Sequence, residues 1–198
     1  MDFPGLPERY CITSKLGTGS FATVWNAIDL ETNSTVAVKV IPHDPGNRTV
    51  CEERIANELH INQVVHHKHI ANLLDHYEDD KNSYLINELC CKGTLGDLVL
   101  ELGMIPENEL RKYFIKILKV LKYLHEEVHI IHRDIKIDNI MFDAKNTLKL
   151  IDFGLSIEHY PGDPGLTKCC GSPSMYFSLF FYHFFFPSGY LLDSNHFF

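Results

Sequence analysis

The order of patterns along this chain predicts an α+β fold in two lobes. Strand-like segments come first and helix-like segments later, and the short run Cys90-Cys91-Lys92-Gly93 reads as a linker between the two sets. The 198 residues, 45% of them apolar and 22% charged, have ordinary globular composition and suffice for one large domain or two small lobes.

After a lead-in over residues 1–9, three β-rich runs follow at Tyr10–Leu16, Ala22–Leu30 and Thr35–Ile41. Gly17 and Gly19 separate the first pair and Glu31-Thr32-Asn33 the second, as expected of consecutive antiparallel strands. Residues 51–66 have the mixed polarity of a surface helix, and Ile70–His76 and Tyr84–Asn87 supply two further strands. The best-marked helix covers 106–125, where Leu110, Phe114, Ile117, Leu118, Leu121 and Leu124 repeat at the spacing of one buried face. Pro106 suits its first turn, and Glu107 and Glu109 oppose the positive end of its dipole. Ile130–Ile131, Ile140–Phe142 and Leu148–Ile151 are too short for helices and lie between charged loops.

Charge and cysteine usage narrow the function classes. A formal net charge of −8 gives no basic surface for nucleic acid. The cysteines form no Cys-x-x-Cys pair and Met1-Asp2-Phe3-Pro4 begins no secretory signal, so the cytoplasm or the nucleus is the expected setting. His66, His67 and His69 lack a cysteine or carboxylate at metal-ligand spacing and read as a polar turn.

Four stretches carry chemistry. Gly17-Thr18-Gly19-Ser20-Phe21-Ala22-Thr23-Val24 lies between two strands, which disfavours a Rossmann turn because no helix follows the glycines. In Val36-Ala37-Val38-Lys39, Lys39 alternates with apolar neighbours and shares the face of Ala37, beneath the glycine turn. Six of the eight residues from His132 to Asn139 are polar, in the sequence His132-Arg133-Asp134-Ile135-Lys136-Ile137-Asp138-Asn139. Asp152-Phe153-Gly154 then follows a strand ending in Ile151. Each alone has an ordinary reading as a turn or a polar loop, but their conjunction in this order does not.

Taken together, residues 10–175 resemble a eukaryotic-type protein kinase domain, in its serine/threonine form because Lys136 follows Asp134 by two positions. The resemblance implies a bilobal fold, with a small lobe at 10–87, a hinge at 88–93 and a partial large lobe at 94–175. It also implies ATP and Mg²⁺ as cofactors and a protein substrate with a serine or threonine acceptor. Leu16, Gly17, Thr18, Gly19, Ser20, Phe21, Ala22, Val24, Ala37, Lys39, Glu88, Cys90 and Met141 then fall at nucleotide-binding positions. Glu58 becomes the helix partner of Lys39, since it precedes His67-Lys68-His69-Ile70, which is similar to the turn that follows that helix in the family. Asp134 takes the place of the catalytic base, Lys136 of the phosphate contact, and Asn139 and Asp152 of the metal ligands.

Departures from the family pattern bear on activity. Ala22 replaces the usual third glycine, Asn87 stands at the gatekeeper, and Asn62 stands where the family packs an apolar residue on Phe153. Lys168 occupies the usual site of an activating phosphothreonine, with Thr167 one position away. Gly171-Ser172-Pro173 is followed by Ser174-Met175-Tyr176 where Ala-Pro-Glu is expected. Eight of the thirteen phenylalanines crowd into 176–198, where Asp193 is the one formal charge. That tail reads either as translated pyrimidine-rich non-coding sequence, the favoured alternative, or as an interfacial membrane contact. The expectation is therefore a kinase truncated in its large lobe. An active enzyme, an inactive nucleotide-binding or regulatory fragment and a non-functional product all stay open.

Overall fold

The computed structural model describes residues 3–19, 21–43, 46 and 48–164, with backbone alone for 48–51. Ser20, Thr167, Lys168, Cys169, Cys170, Gly171-Ser172-Pro173 and the aromatic tail lie outside the described residues.

Alternation in Ser34–Pro42 (β3) organises the smaller lobe. Val36, Val38 and Val40 are buried on one face, while Ala37, Lys39 and Ile41 point to the other. Around it, Tyr10–Thr18 (β1), Thr23–Asp29 (β2), Leu73–Glu78 (β4) and Asn82–Glu88 (β5) complete an antiparallel sheet in the order β1-β2-β3-β5-β4. The valine face packs with Tyr10, Ala27, Tyr84 and Ile86. It is covered by the residues read as a lead-in, because Phe3 meets Trp25 edge-on at 5.5 Å and Leu6 packs on the same cluster. Burying each large side chain of this kind stabilises by about 1.5–3 kcal/mol.

The β2–β3 turn follows from one buried carboxylate. Asp29 accepts from the Glu31 amide and the Thr32 hydroxyl, and Arg9 grips it with two hydrogen bonds of 2.8 and 2.7 Å. Asn33 supplies the left-handed residue at φ 53°.

On the opposite face, Ile41 and Leu85 meet Ile55 of the helix Arg48–Val64 (α1). The larger lobe begins with Leu95–Leu102 (α2), for which the sequence analysis named no element. Its start is a capping box, in which Thr94 and Asp97 satisfy each other's backbone amides, and Gly103 ends it at φ 69°. Glu107–Lys122 (α3) continues into a π-helical turn at Tyr123–Glu127. Short strands follow at Ile130–Ile131 (β6), Ile140–Phe142 (β7), Leu148–Leu150 (β8) and Ile157–Glu158 (β9), pairing β6 with β9 and β7 with β8.

The buried stripe of α3 differs from the expected one. Tyr113, Ile117, Val120 and Leu124 pack with residues of β7 and β8, and Leu121 is buried, while Leu110 is 48% exposed and Phe114 and Leu118 are half-buried. Two apolar stripes overlap on this helix, and contact with the β7–β8 hairpin selects between them. Tyr113 decides it, seating its ring edge-on against Phe142 at 5.4 Å. Among the described residues no helix is long and apolar enough to cross a membrane.

Candidate active site

Strand register builds the roof of the site. Gly17 pairs with Val24, and Val24 with Lys39, so the three stand in one row across β1, β2 and β3. Ala37 lies on the same face, opposite Asn26 and Asn87. Gly17 has no positive φ, and a Cβ added there would meet nothing within 4 Å. Neither backbone geometry nor packing among the described residues therefore calls for glycine, whereas close approach of a ligand would. Gly19 donates to the Ala22 carbonyl at 2.8 Å, closing the turn whose tip carries Phe21.

Beneath the roof, Lys39 reaches two carboxylates at once. Its Nζ lies 2.6 Å from Glu58 Oε1 and 2.8 Å from Asp152 Oδ1. Burial opposes the charge on Lys39, but the two carboxylates outweigh it and hold its pKa above that of a free lysine. Asp152 is pulled the other way: partial desolvation works against ionisation, yet Lys39 keeps its carboxyl below the usual range. Gly154 completes this corner, since a Cβ there would come within 3.1 Å of Glu58 Oε2 and 3.3 Å of Asp152 Oδ1.

A second cluster sits on the loop after β6. Asp134, 6% exposed, accepts from Asn139 Nδ2 at 2.9 Å and from Lys136 Nζ at 2.8 Å. Asn139 spends its amide nitrogen on Asp134, through both its carbonyl and its carboxylate, which leaves the side-chain oxygen as the end that can ligate a cation. The two clusters are tied by Ile151, whose amide donates to the Asn139 carbonyl at 3.0 Å. His132 adds a second tie: its Nε2 meets the Ile151 carbonyl at 3.1 Å, and its Nδ1 accepts from the Asp134 amide at 3.3 Å. That pattern requires the neutral Nε2–H tautomer, and full burial pushes the imidazole pKa down to about 4.

Arg133 and Asp152 both sit in the left-handed region, each at φ 63°. Such a conformation costs on the order of 1–2 kcal/mol in a non-glycine residue. It is held here by Arg133 Nε donating to the Leu155 carbonyl at 2.6 Å and by the Lys39–Asp152 contact.

A family profile described as protein kinase domain matches residues 10–177. The chain belongs to this family. The kinase domain is 33% identical over 171 residues to the rat serine/threonine-protein kinase PLK2, covering 86% of this chain and 25% of that protein. It is 38% identical over 172 residues to the human hormonally up-regulated neu tumor-associated kinase, covering 84% and 24%. A probable serine/threonine-protein kinase KIN1 homolog of Enterocytozoon bieneusi is 39% identical over 170 residues, covering 86% and 28%. The chain thus spans about a quarter of the length of these relatives.

Some expected nucleotide-binding residues stand apart from the two clusters. The Glu88 side chain turns to Lys149, at 2.8 Å, and Cys90 is buried with its thiol pKa pushed up to about 12 by desolvation. The Ala22 methyl packs on the Ile41–Ile55–Leu85 cluster. Leu16 is 51% exposed on β1, and Met141 lies half-buried on β7, bridging to Thr94 and pairing with Lys149. Asn62 is buried but not unsatisfied, since its amide donates to the Glu58 carbonyl at 2.8 Å. His67 stacks on Tyr123 at 5.2 Å, and His69 bonds the Leu148 carbonyl at 2.8 Å, so both rings serve packing between the lobes.

Sequence reading missed the docking of α1. Arg54 Nε donates to the Gly154 carbonyl, Asn57 Nδ2 to the Ser156 carbonyl, and His60 pairs with Glu158 Oε1 at 2.8 Å. The signal was available: polar residues three apart, beside Glu58, on a helix expected to pack.

Proposed function

We propose that this kinase domain transfers the γ-phosphoryl group of ATP to a serine or threonine hydroxyl of a protein substrate. The observation that carries the reading is Lys39 Nζ held between Glu58 and Asp152, a fixed cation under a roof whose Gly17 leaves room for phosphates. Lys39 would contact the nucleotide phosphates, with Glu58 keeping it extended from β3. Asp152 and Asn139 would hold Mg²⁺, which when bound neutralises charge on the transferring phosphate. Asp134 would orient the acceptor hydroxyl and take its proton, and Lys136 beside it would steady the charge that develops on the phosphoryl oxygens. Val24 and Ala37 would face the adenine ring, with the backbone of Glu88 to Cys90 beside it.

Thermal stabilisation by Mg-ATP tests the binding half of the proposal. Lys39→Met and Asp152→Asn should each abolish most of the shift, and an unchanged shift in both variants would defeat it. Transfer to serine, threonine and tyrosine peptides tests the rest, and label appearing on tyrosine alone would overturn the acceptor assignment. A second reading, nucleotide binding without transfer in a regulatory role, is favoured by the apolar side chains Leu100, Met104, Leu110 and Ile115, which stay exposed on the larger lobe. Mg-ATP stabilisation with no transfer to any peptide would select it.

A further inference from the structure

Arg54 touches two parts of the site that belong to different elements. Its guanidinium carbon lies 4.1 Å from the centroid of the Phe21 ring, at the tip of the glycine turn. Its Nε donates to the carbonyl of Gly154 at 3.3 Å, two residues after Asp152. Phe21 is 65% exposed, and among the described residues its ring is seated by this stacking. The methyl of the next residue, Ala22, packs on the cluster that contains Ile55, the neighbour of Arg54 in α1. Turn and helix therefore share one direct contact, Phe21 with Arg54, and one apolar cluster.

We infer that Arg54 is a positioning residue that draws the glycine turn down over the phosphate site and ties that closure to the loop carrying Asp152. The inference rests on the nucleotide-binding reading above but assigns a residue which that reading does not use. A guanidinium over an aromatic face is attractive without fixing the ring covalently, so it biases the turn toward closure while letting it open. Its second contact makes the bias conditional. Arg54 is aimed at Phe21 while the Gly154 carbonyl holds its Nε, so displacement of the 152–154 loop also releases the turn.

Closure over phosphates should matter for a ligand that has them and not for one that lacks them. The test compares binding of Mg-ATP and of adenosine to the full chain, by calorimetry, in the wild type, Arg54→Ala, Arg54→Lys and Phe21→Ala. Arg54→Ala and Phe21→Ala should each weaken Mg-ATP about fivefold, a size typical of one partly exposed cation–aromatic contact, and leave adenosine binding unchanged. Arg54→Lys should recover part of the loss, since an ammonium can still lie over the ring. The double variant Arg54→Ala/Phe21→Ala should be no weaker than either single one. Equal losses for Mg-ATP and adenosine would reduce Arg54 to a structural residue and overturn the inference, as would unchanged affinity for Mg-ATP. Fully additive losses in the double variant would overturn the Phe21–Arg54 link. A wild-type chain that binds neither ligand would instead sink the nucleotide-binding reading itself.

Discussion

Lys149 Nζ lies 2.8 Å from Glu88 Oε2, joining the strand that leads to Asp152 with the last residue of β5. Lys149 is only 6% exposed and also approaches the Ile70 carbonyl at 3.5 Å, whereas the Glu88 side chain is 30% exposed. Removing the carboxylate would strand a buried ammonium, while removing the ammonium leaves a carboxylate that water can reach. Glu88→Gln should therefore cost more stability than Lys149→Met, on the order of 2–4 kcal/mol against about 1–2. Urea unfolding of the two variants checks the order, and equal losses would show the pair to be solvated.

Asp134→Asn should remove nearly all transfer while sparing Mg-ATP binding, because this carboxylate bonds Lys136 and Asn139 and not Lys39. Steady-state kinetics should show kcat falling with ATP KM unchanged. A matching rise in KM would mean that Asp134 also shapes the nucleotide site.

Gly154→Ala should weaken Mg-ATP binding and lower activity about tenfold with little loss of thermal stability. The added methyl would press on Glu58 Oε2 at 3.1 Å and Asp152 Oδ1 at 3.3 Å, the two carboxylates that hold Lys39. No positive φ is involved at this residue, so backbone strain does not enter. Wild-type activity in this variant would show that both carboxylates can move aside freely.

Stability should fall as pH is lowered from about 6.5 toward 4. Burial depresses the pKa of His132 and of His125 to about 4, so the unfolded chain binds protons in this window and the folded chain does not. Each histidine then withdraws about 1.4 kcal/mol per pH unit until the folded pKa is reached. His67 and His69, also lowered by burial, add in the same direction. Asp152, with a depressed carboxyl pKa, adds its loss only below the window. Thermal unfolding across this pH range provides the check, and a flat profile would mean that the buried imidazoles are hydrated.

Much of this was legible in the sequence because local rules and tertiary contacts agree. Alternation in Val36–Ile41 fixed which face carries Lys39, and glycine and Asn33 marked the hairpin turns. The motif residues gave both clusters. What escaped depended on contacts that spacing alone does not reveal. Two stripes of α3 were equally apolar, and only Phe142 chose Tyr113. The start of α2 was written in Thr94 and Asp97, but its eight residues are too few for periodicity to stand out. The Lys149–Glu88 pair joins residues 61 positions apart, and nothing near either one in sequence announces the other.

Helix α1 carries Glu58 to Lys39, yet among its described apolar side chains only Ile55 and Ile61 are fully buried. Leu59 is half-buried against the Ile41–Ile55–Leu85 cluster, and the contacts of the helix with the 154–158 segment are polar, at Gly154, Ser156 and Glu158. Hydrogen bonds of this kind contribute about 0.5–1.5 kcal/mol each. Three of them would add a few kcal/mol to the preference for the seated helix over a displaced one, beyond the burial of Ile55 and Ile61. The Lys39–Glu58 contact then depends in part on polar bonds made far from it in sequence. Losing Asn57 alone would lower the seated-to-displaced ratio about fivefold, and anything that grips residues 154–158 would raise it by the same arithmetic.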